Sequence, residues 1–233
     1  MNNMSFGNGN KPTITCVNLA TVPIGVDFNA LIKSLQKFID NYLNPVWGVS
    51  ATLKIANKVL PGEWGFIFSD TADAANALGY HDLTASGLPI SKIFVKTTVD
   101  DGEKVSVTAS HELAEVLVDP GINLCAINSK NNTIYAYEVG DPVEETSFQI
   151  DGIDITNFVY PSYFEGFRKS GSIKFDQLGL VKTPFSLLKG GYMSIYKNGK
   201  WSQIFGSKAK EKCEQKENSS SRRLRGSKKS KHG

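Results

Sequence analysis

Ser110-His111-Glu112-Leu113-Ala114-Glu115-Val116-Leu117-Val118-Asp119-Pro120 is the stretch on which the reading of this chain turns. Val105, Ala109, Leu113, Val116 and Leu117 recur at helical spacing through and before it, so the pattern predicts a helix over residues 105–118. Asp119-Pro120 stops it, and Ser106 or Thr108 is available to cap its start. His111 and Glu115 then stand one turn apart on one face, where an imidazole and a carboxylate can grip a single cation. Glu112 projects about 100° round from His111, near enough to the open side of such a cation to hold a water. These three residues lie off the axis of the apolar stripe. The helix is therefore expected to bury one face and turn its polar residues toward a cleft.

This spacing follows the logic of His-Glu-x-x-His, in which two histidines bind zinc and the glutamate is general base. Here Glu115 takes the place of the second histidine. A catalytic zinc needs three protein ligands and a water, so one more donor is required. Before residue 207 the only histidines are His81 and His111, which points to a carboxylate. Glu138-Val139-Gly140-Asp141 is the best source: Glu138 ends a β-rich run and Asp141 follows a glycine turn. Glu138 ranks first and Asp141 second, with the other free to orient His111. His81, in Gly79-Tyr80-His81-Asp82, is a lesser third ligand or a substrate-side donor, and Tyr160 is a candidate oxyanion donor. Two carboxylates and one imidazole leave bound zinc formally neutral and a weaker Lewis acid, which favours metal binding over catalysis.

Working outward, residues 12–18 alternate as a first strand. Asp27 is a good N-cap for a long helix with an apolar stripe from Phe28 to Leu43, ended by Asn44-Pro45. Residues 49–56, 63–69 and 92–97 read as further strands, the last placed to border a substrate cleft and receive a peptide along its edge. Residues 122–127 and 133–139 form one hairpin. A second hairpin turns at Asp151-Gly152, and a third at Asn198-Gly199. The sum is an α+β class chain: a mixed sheet packed on a long N-terminal helix and a motif-bearing helix.

The chain has 233 residues, 40% hydrophobic and 21% charged, enough for one well-buried domain. The expected division is a flexible start over 1–11, a domain over 12–206 and a disordered basic tail over 207–233. That tail carries ten Lys or Arg against three Glu, while the body before it has 16 basic and 20 acidic residues. Weak contact with nucleic acid through the tail is one expectation, and a merely solvated extension is the plainer one. No apolar run approaches membrane length, and the polar N-terminus has no signal-peptide core, so a cytoplasmic product is expected. Cys16, Cys125 and Cys213 lack metal-knuckle spacing and fit free thiols. Phosphate loops and serine-nucleophile elbows are absent from the sequence.

Several runs occur in one order: Gly79-Tyr80-His81-Asp82, Gly87-Leu88-Pro89, Ser110-His111-Glu112-Leu113-Ala114-Glu115 and Asp119-Pro120, then Glu138-Val139-Gly140-Asp141, Tyr160-Pro161 and Gly190-Gly191-Tyr192. The succession resembles a group of phage and prophage-associated bacterial metallopeptidase-like proteins, over about residues 10–205. The resemblance implies a zincin-like fold and a Zn²⁺ site (or one for another divalent cation). Its ligands would be His111, Glu115 and a residue from 138–141, with Glu112 as general base toward a peptide or protein substrate. It equally implies a virion-associated structural or maturation role in which metal stabilises the fold without catalysis.

Overall fold

The computed structural model of this chain describes residues 11–73 and 77–206. The expected basic tail, and the expected flexible start apart from Lys11, lie outside the described residues. β1 (Thr13–Asn18) is buried over its centre and accepts a parallel partner on each side, β2 (Thr52–Ile55) and β3 (Trp64–Ser69). Parallel neighbours need a crossover. Between β1 and β2 it is supplied by α1 (Phe28–Phe38) and α2 (Asn44–Trp47). Asp27 caps α1 by accepting from the Ala30 N–H at 2.8 Å, and Leu31, Leu35 and Phe38 on its inner face are fully buried.

The long regular helix expected over 28–43 is not what forms. The α-helix ends after 11 residues, and a π-type turn, Ile39–Leu43, joins it to the single turn of α2. Pro45 accounts for the break, because it has no N–H to donate and its ring crowds the carbonyl one turn back. The wider turn lets the Asn44 N–H reach the Ile39 carbonyl instead. Gly48, at φ +68°, closes the segment in the left-handed region.

β4 (Gly79–Leu83) and β5 (Pro89–Phe94) complete the first sheet, in the order β2-β1-β3-β5-β4. β5 runs parallel to β3, whereas β4 is antiparallel and forms the edge. This corrects the expectation for residues 92–97: the strand there ends at Phe94, where α3 (Val95–Asp100) follows directly, and it is interior to the sheet rather than at a cleft edge. The edge strand is β4, whose polar composition hides it from a hydrophobic-pattern reading.

α4 (Val105–Val118) occupies the predicted span, but Lys104 precedes it without a side-chain cap, and Ser106 and Thr108 sit inside it. Nor does α4 show a polar face to solvent: every residue except Val107 is buried. It is packed between β4 and β5 on one side and β9 (Ile153–Thr156) on another. Ser110 makes the second contact specific. Its Oγ donates within the helix to the Ser106 carbonyl at 2.8 Å and accepts the Thr156 N–H at 2.8 Å.

Beyond α4, Asp119 is fully buried and accepts the Asn123 and Leu124 N–H groups, each at 3.0 Å, which fixes the exit from the helix. The exit feeds an antiparallel sheet of β6 (Cys125–Asn128), β7 (Thr133–Ala136), β10 (Tyr192–Lys197) and β11 (Lys200–Phe205), in the order β11-β10-β7-β6. β8 (Ser147–Ile150) pairs only with β9 among the described residues. Side chains from both sheets, the hairpin, α1 and α4 share one core, which includes Phe66, Leu113, Val139, Ile155 and Met193. The protein is thus of mixed α+β class. Among the described residues no helix is long and apolar enough to cross a membrane.

Candidate metal centre

Three segments meet at the polar side of α4. α4 supplies His111, Glu112 and Glu115, β4 supplies His81, and residues 138–144, after β7, supply Glu138, Asp141 and Glu144. Alternation along β4 turns Gly79 and His81 to the same face, and His81 is the one fully inward position of that strand.

The two nitrogens of His111 have different surroundings. Nε2 lies 3.2 Å from Glu115 Oε1 and 3.3 Å from Asp141 Oδ1. Nδ1 lies 3.1 Å from Glu144 Oε2. The charge of Glu144 beside Nδ1 favours a proton there, which would leave the Nε2 lone pair for a cation lying between it and the other two carboxylates. Donor atoms around tetrahedral zinc with bonds of roughly 2.0–2.2 Å are separated by about 3.3–3.6 Å. The two spacings about Nε2 come within a few tenths of an ångström of that edge length, so Glu115 and Asp141 each stand at a suitable separation from the imidazole for such a cation.

Glycines make this approach possible. A Cβ on Gly140 would stand 2.5 Å from His111 Nδ1. The Gly140 N–H donates to Glu115 Oε1 at 3.2 Å, tying the two halves of the site together. A Cβ on Gly191 would run into the Pro142 carbonyl, and the Leu188 N–H donates to that carbonyl at 3.0 Å, so residues 140–142 are also pinned from behind. On the other side a Cβ on Gly79 would meet Glu112 Cγ at 2.9 Å. Glu112 therefore packs against bare backbone, with Oε2 at 3.4 Å from His81 Nδ1.

The electrostatics have one sense. Burial pulls the His81 pKa down, but hydrogen bonding to Glu112 and the charges of Glu138 and Glu115 outweigh it, raising it from 6.5 to about 9. Burial likewise opposes protonation of His111, yet Glu115, Glu144 and Asp141 hold it well above the ordinary value. Glu115 is pushed up by burial and by Asp141 and Glu138, against the pull of His111. Asp141 is also raised, by burial first and by Glu144, while His111 and a hydrogen bond from Tyr192 act the other way. These four groups bind protons more tightly than free side chains do, because carboxylates outnumber imidazoles in a dry place. A divalent cation meets the same demand for positive charge.

His111, Glu112, Glu115, Glu138 and Asp141 all converge, and His81 joins them from β4 rather than standing apart on a substrate side. Glu138 and Asp141 exchange their expected ranks at His111: Asp141 is the residue facing Nε2, and Glu138 faces His81 Nε2 at 3.8 Å. Tyr160 is engaged elsewhere, its hydroxyl donating to Gln177 Oε1 at 2.7 Å. The tyrosines near the site are Tyr192, bonded to Asp141, and Tyr163, whose fully buried hydroxyl has no hydrogen-bond partner among the described residues and is pushed up chiefly by burial, with Asp141 contributing. Glu144 carries no sequence signal, since its role depends on the turn after Asp141 returning it to the His111 ring. No family model, curated protein or solved structure matches this chain.

Proposed function

We propose that this protein is a zinc-dependent metallopeptidase of zincin-like fold. His111, Glu115 and Asp141 hold the cation, and Glu144 fixes the tautomer of His111. The observation that carries this reading is the convergence of Glu115 Oε1 and Asp141 Oδ1 on His111 Nε2, at 3.2 and 3.3 Å, one residue from a buried glutamate. A bound divalent cation supplies Lewis acidity toward a peptide carbonyl and the attacking water. Glu112 accepts the proton of that water and returns it to the leaving amine. A mixed sheet whose antiparallel edge strand packs on the motif helix also supports the reading. β4 pairs only with β5 among the described strands, so an extended substrate can add along its other side.

The test is Glu112→Gln, assayed for zinc content and for cleavage of a peptide library. The variant is expected to retain its metal and lose hydrolysis. Full activity in that variant would rule the mechanism out.

One observation favours a second reading, a non-catalytic, metal-stabilised protein of a phage particle or its maturation. The side chains of His111, Glu115 and Asp141 are only 11%, 5% and 6% exposed, which leaves little room for a substrate. Under that reading chelation lowers the melting temperature while Glu112→Gln alters nothing measurable. The basic tail, as a salt-sensitive anchor for nucleic acid, is a separable proposal: deleting residues 207–233 is expected to abolish that binding, and binding retained after the deletion would rule it out.

A further inference from the structure

Glu115 has two oxygens, and they face different histidines. Oε1 lies 3.2 Å from His111 Nε2, and Oε2 lies 3.7 Å from His81 Nδ1. The other nitrogen of His81, Nε2, is 3.8 Å from Glu138 Oε2, and a cation would take one of the two nitrogens. His81, Glu115 and Glu138 each offer a donor atom within 4.8 Å of the others, and their side chains are 7%, 5% and 12% exposed. This is a complete three-ligand set, one imidazole and two carboxylates, that shares only Glu115 with the set around His111.

We infer that the protein holds two divalent cations bridged by Glu115, one with His111 and Asp141 and the second with His81 and Glu138. The inference rests on the proposed cation site at His111 and adds a neighbour to it. A carboxylate that binds through both oxygens sets two cations about 3.5–4 Å apart, the separation used by two-metal hydrolases. Imidazole with carboxylate suits Zn²⁺ and Mn²⁺ alike.

Charge points the same way. Glu112, Glu115, Glu138, Asp141 and Glu144 all lie against the two imidazoles. With both imidazoles neutral, a single dication leaves a threefold negative excess in a water-poor site, and a second reduces it to one, the more tenable balance for buried carboxylates. The second position also explains why a histidine stands at the inward position of an edge strand. An imidazolium paired with Glu112 is the competing account of His81, and metal stoichiometry separates the two.

The full chain, stripped by chelation, is titrated with Zn²⁺ alone and weighed by native mass spectrometry. Two cations per chain are expected, falling to one in both His81→Ala and Glu138→Gln. Mn²⁺ loading supplies a readout that needs no variant: electron paramagnetic resonance should show an exchange-coupled pair rather than a single ion. Saturation at one cation, unchanged in both variants and abolished by His111→Ala, overturns the second site and leaves the first standing. No bound cation at all overturns both.

Discussion

Gly140 lies so close to His111 that a Cβ there would stand 2.5 Å from Nδ1 and 2.7 Å from Cε1. The backbone of Gly140 is ordinary, at φ −89° and ψ −36°, so the glycine is not there for a left-handed turn. It is there for its missing side chain, which lets residues 138–141 close over the imidazole.

Gly140→Ala should therefore act through crowding. The expected loss is about 1–3 kcal/mol of stability, as for other overpacked sites. His111 must also move relative to Glu115 and Asp141, so metal affinity should fall. Thermal melts and zinc competition titrations measure the two effects. An alanine variant with unchanged melting temperature and affinity would contradict the close approach.

Glu144 acts on His111 from the other nitrogen. Glu144→Gln keeps a hydrogen-bonding oxygen but removes the charge that holds a proton on Nδ1. Loss of such a supporting contact typically costs roughly 10–100-fold in metal affinity. The number of cations bound should not change, since Glu144 orients a ligand and is not one. If stoichiometry drops by one in Glu144→Gln, the glutamate is itself a ligand.

What the sequence made legible was local. The span of α4 follows from an apolar stripe and Asp119-Pro120. The hairpin turns follow from Asp151-Gly152 and Asn198-Gly199, whose residues all have positive φ, as tight hairpins require. The motif on α4 and the 138–141 segment could be paired because both carry donors. β4 was hidden because its inward side chain is His81, which breaks the hydrophobic alternation by which strands are recognised. Glu144, and the choice between Asp141 and Glu138 at His111, depend on how the chain bends at Gly140. No spacing along the sequence encodes that bend.

Ser110 stands next to the motif and has a structural role of its own. Its Oγ accepts the buried Thr156 N–H, so Ser110→Ala strands a backbone donor between α4 and β9. The expected destabilisation is about 1–3 kcal/mol, the cost of an unsatisfied buried polar group. Because Ser110 is not a ligand, the metal stoichiometry should be unaltered in the folded variant. A neutral effect in chemical denaturation would mean that water replaces the hydroxyl.

The raised pKa values make the stability of the metal-free protein depend on pH with a definite sign. His81 rises from 6.5 to about 9 on folding, so its contribution is present below pH 6.5 and is lost as pH rises through 9. His111, Glu115 and Asp141 shift in the same direction, and each likewise loses its contribution as pH rises through its folded value. Asp70 and Asp154 are lowered, by hydrogen bonds from Thr21 and Lys104 respectively, so their contributions fade only at acid pH. Chelated protein should thus melt at progressively lower temperature from about pH 6 to pH 9. Cation binding needs the same groups deprotonated, so affinity should climb over that range, by about tenfold per pH unit for each proton released. The gap in melting temperature between zinc-loaded and chelated protein therefore widens toward alkaline pH. Melts at pH 6, 7.5 and 9, with and without chelator, measure it directly. A gap that stays constant or narrows would show that these side chains do not exchange protons for metal.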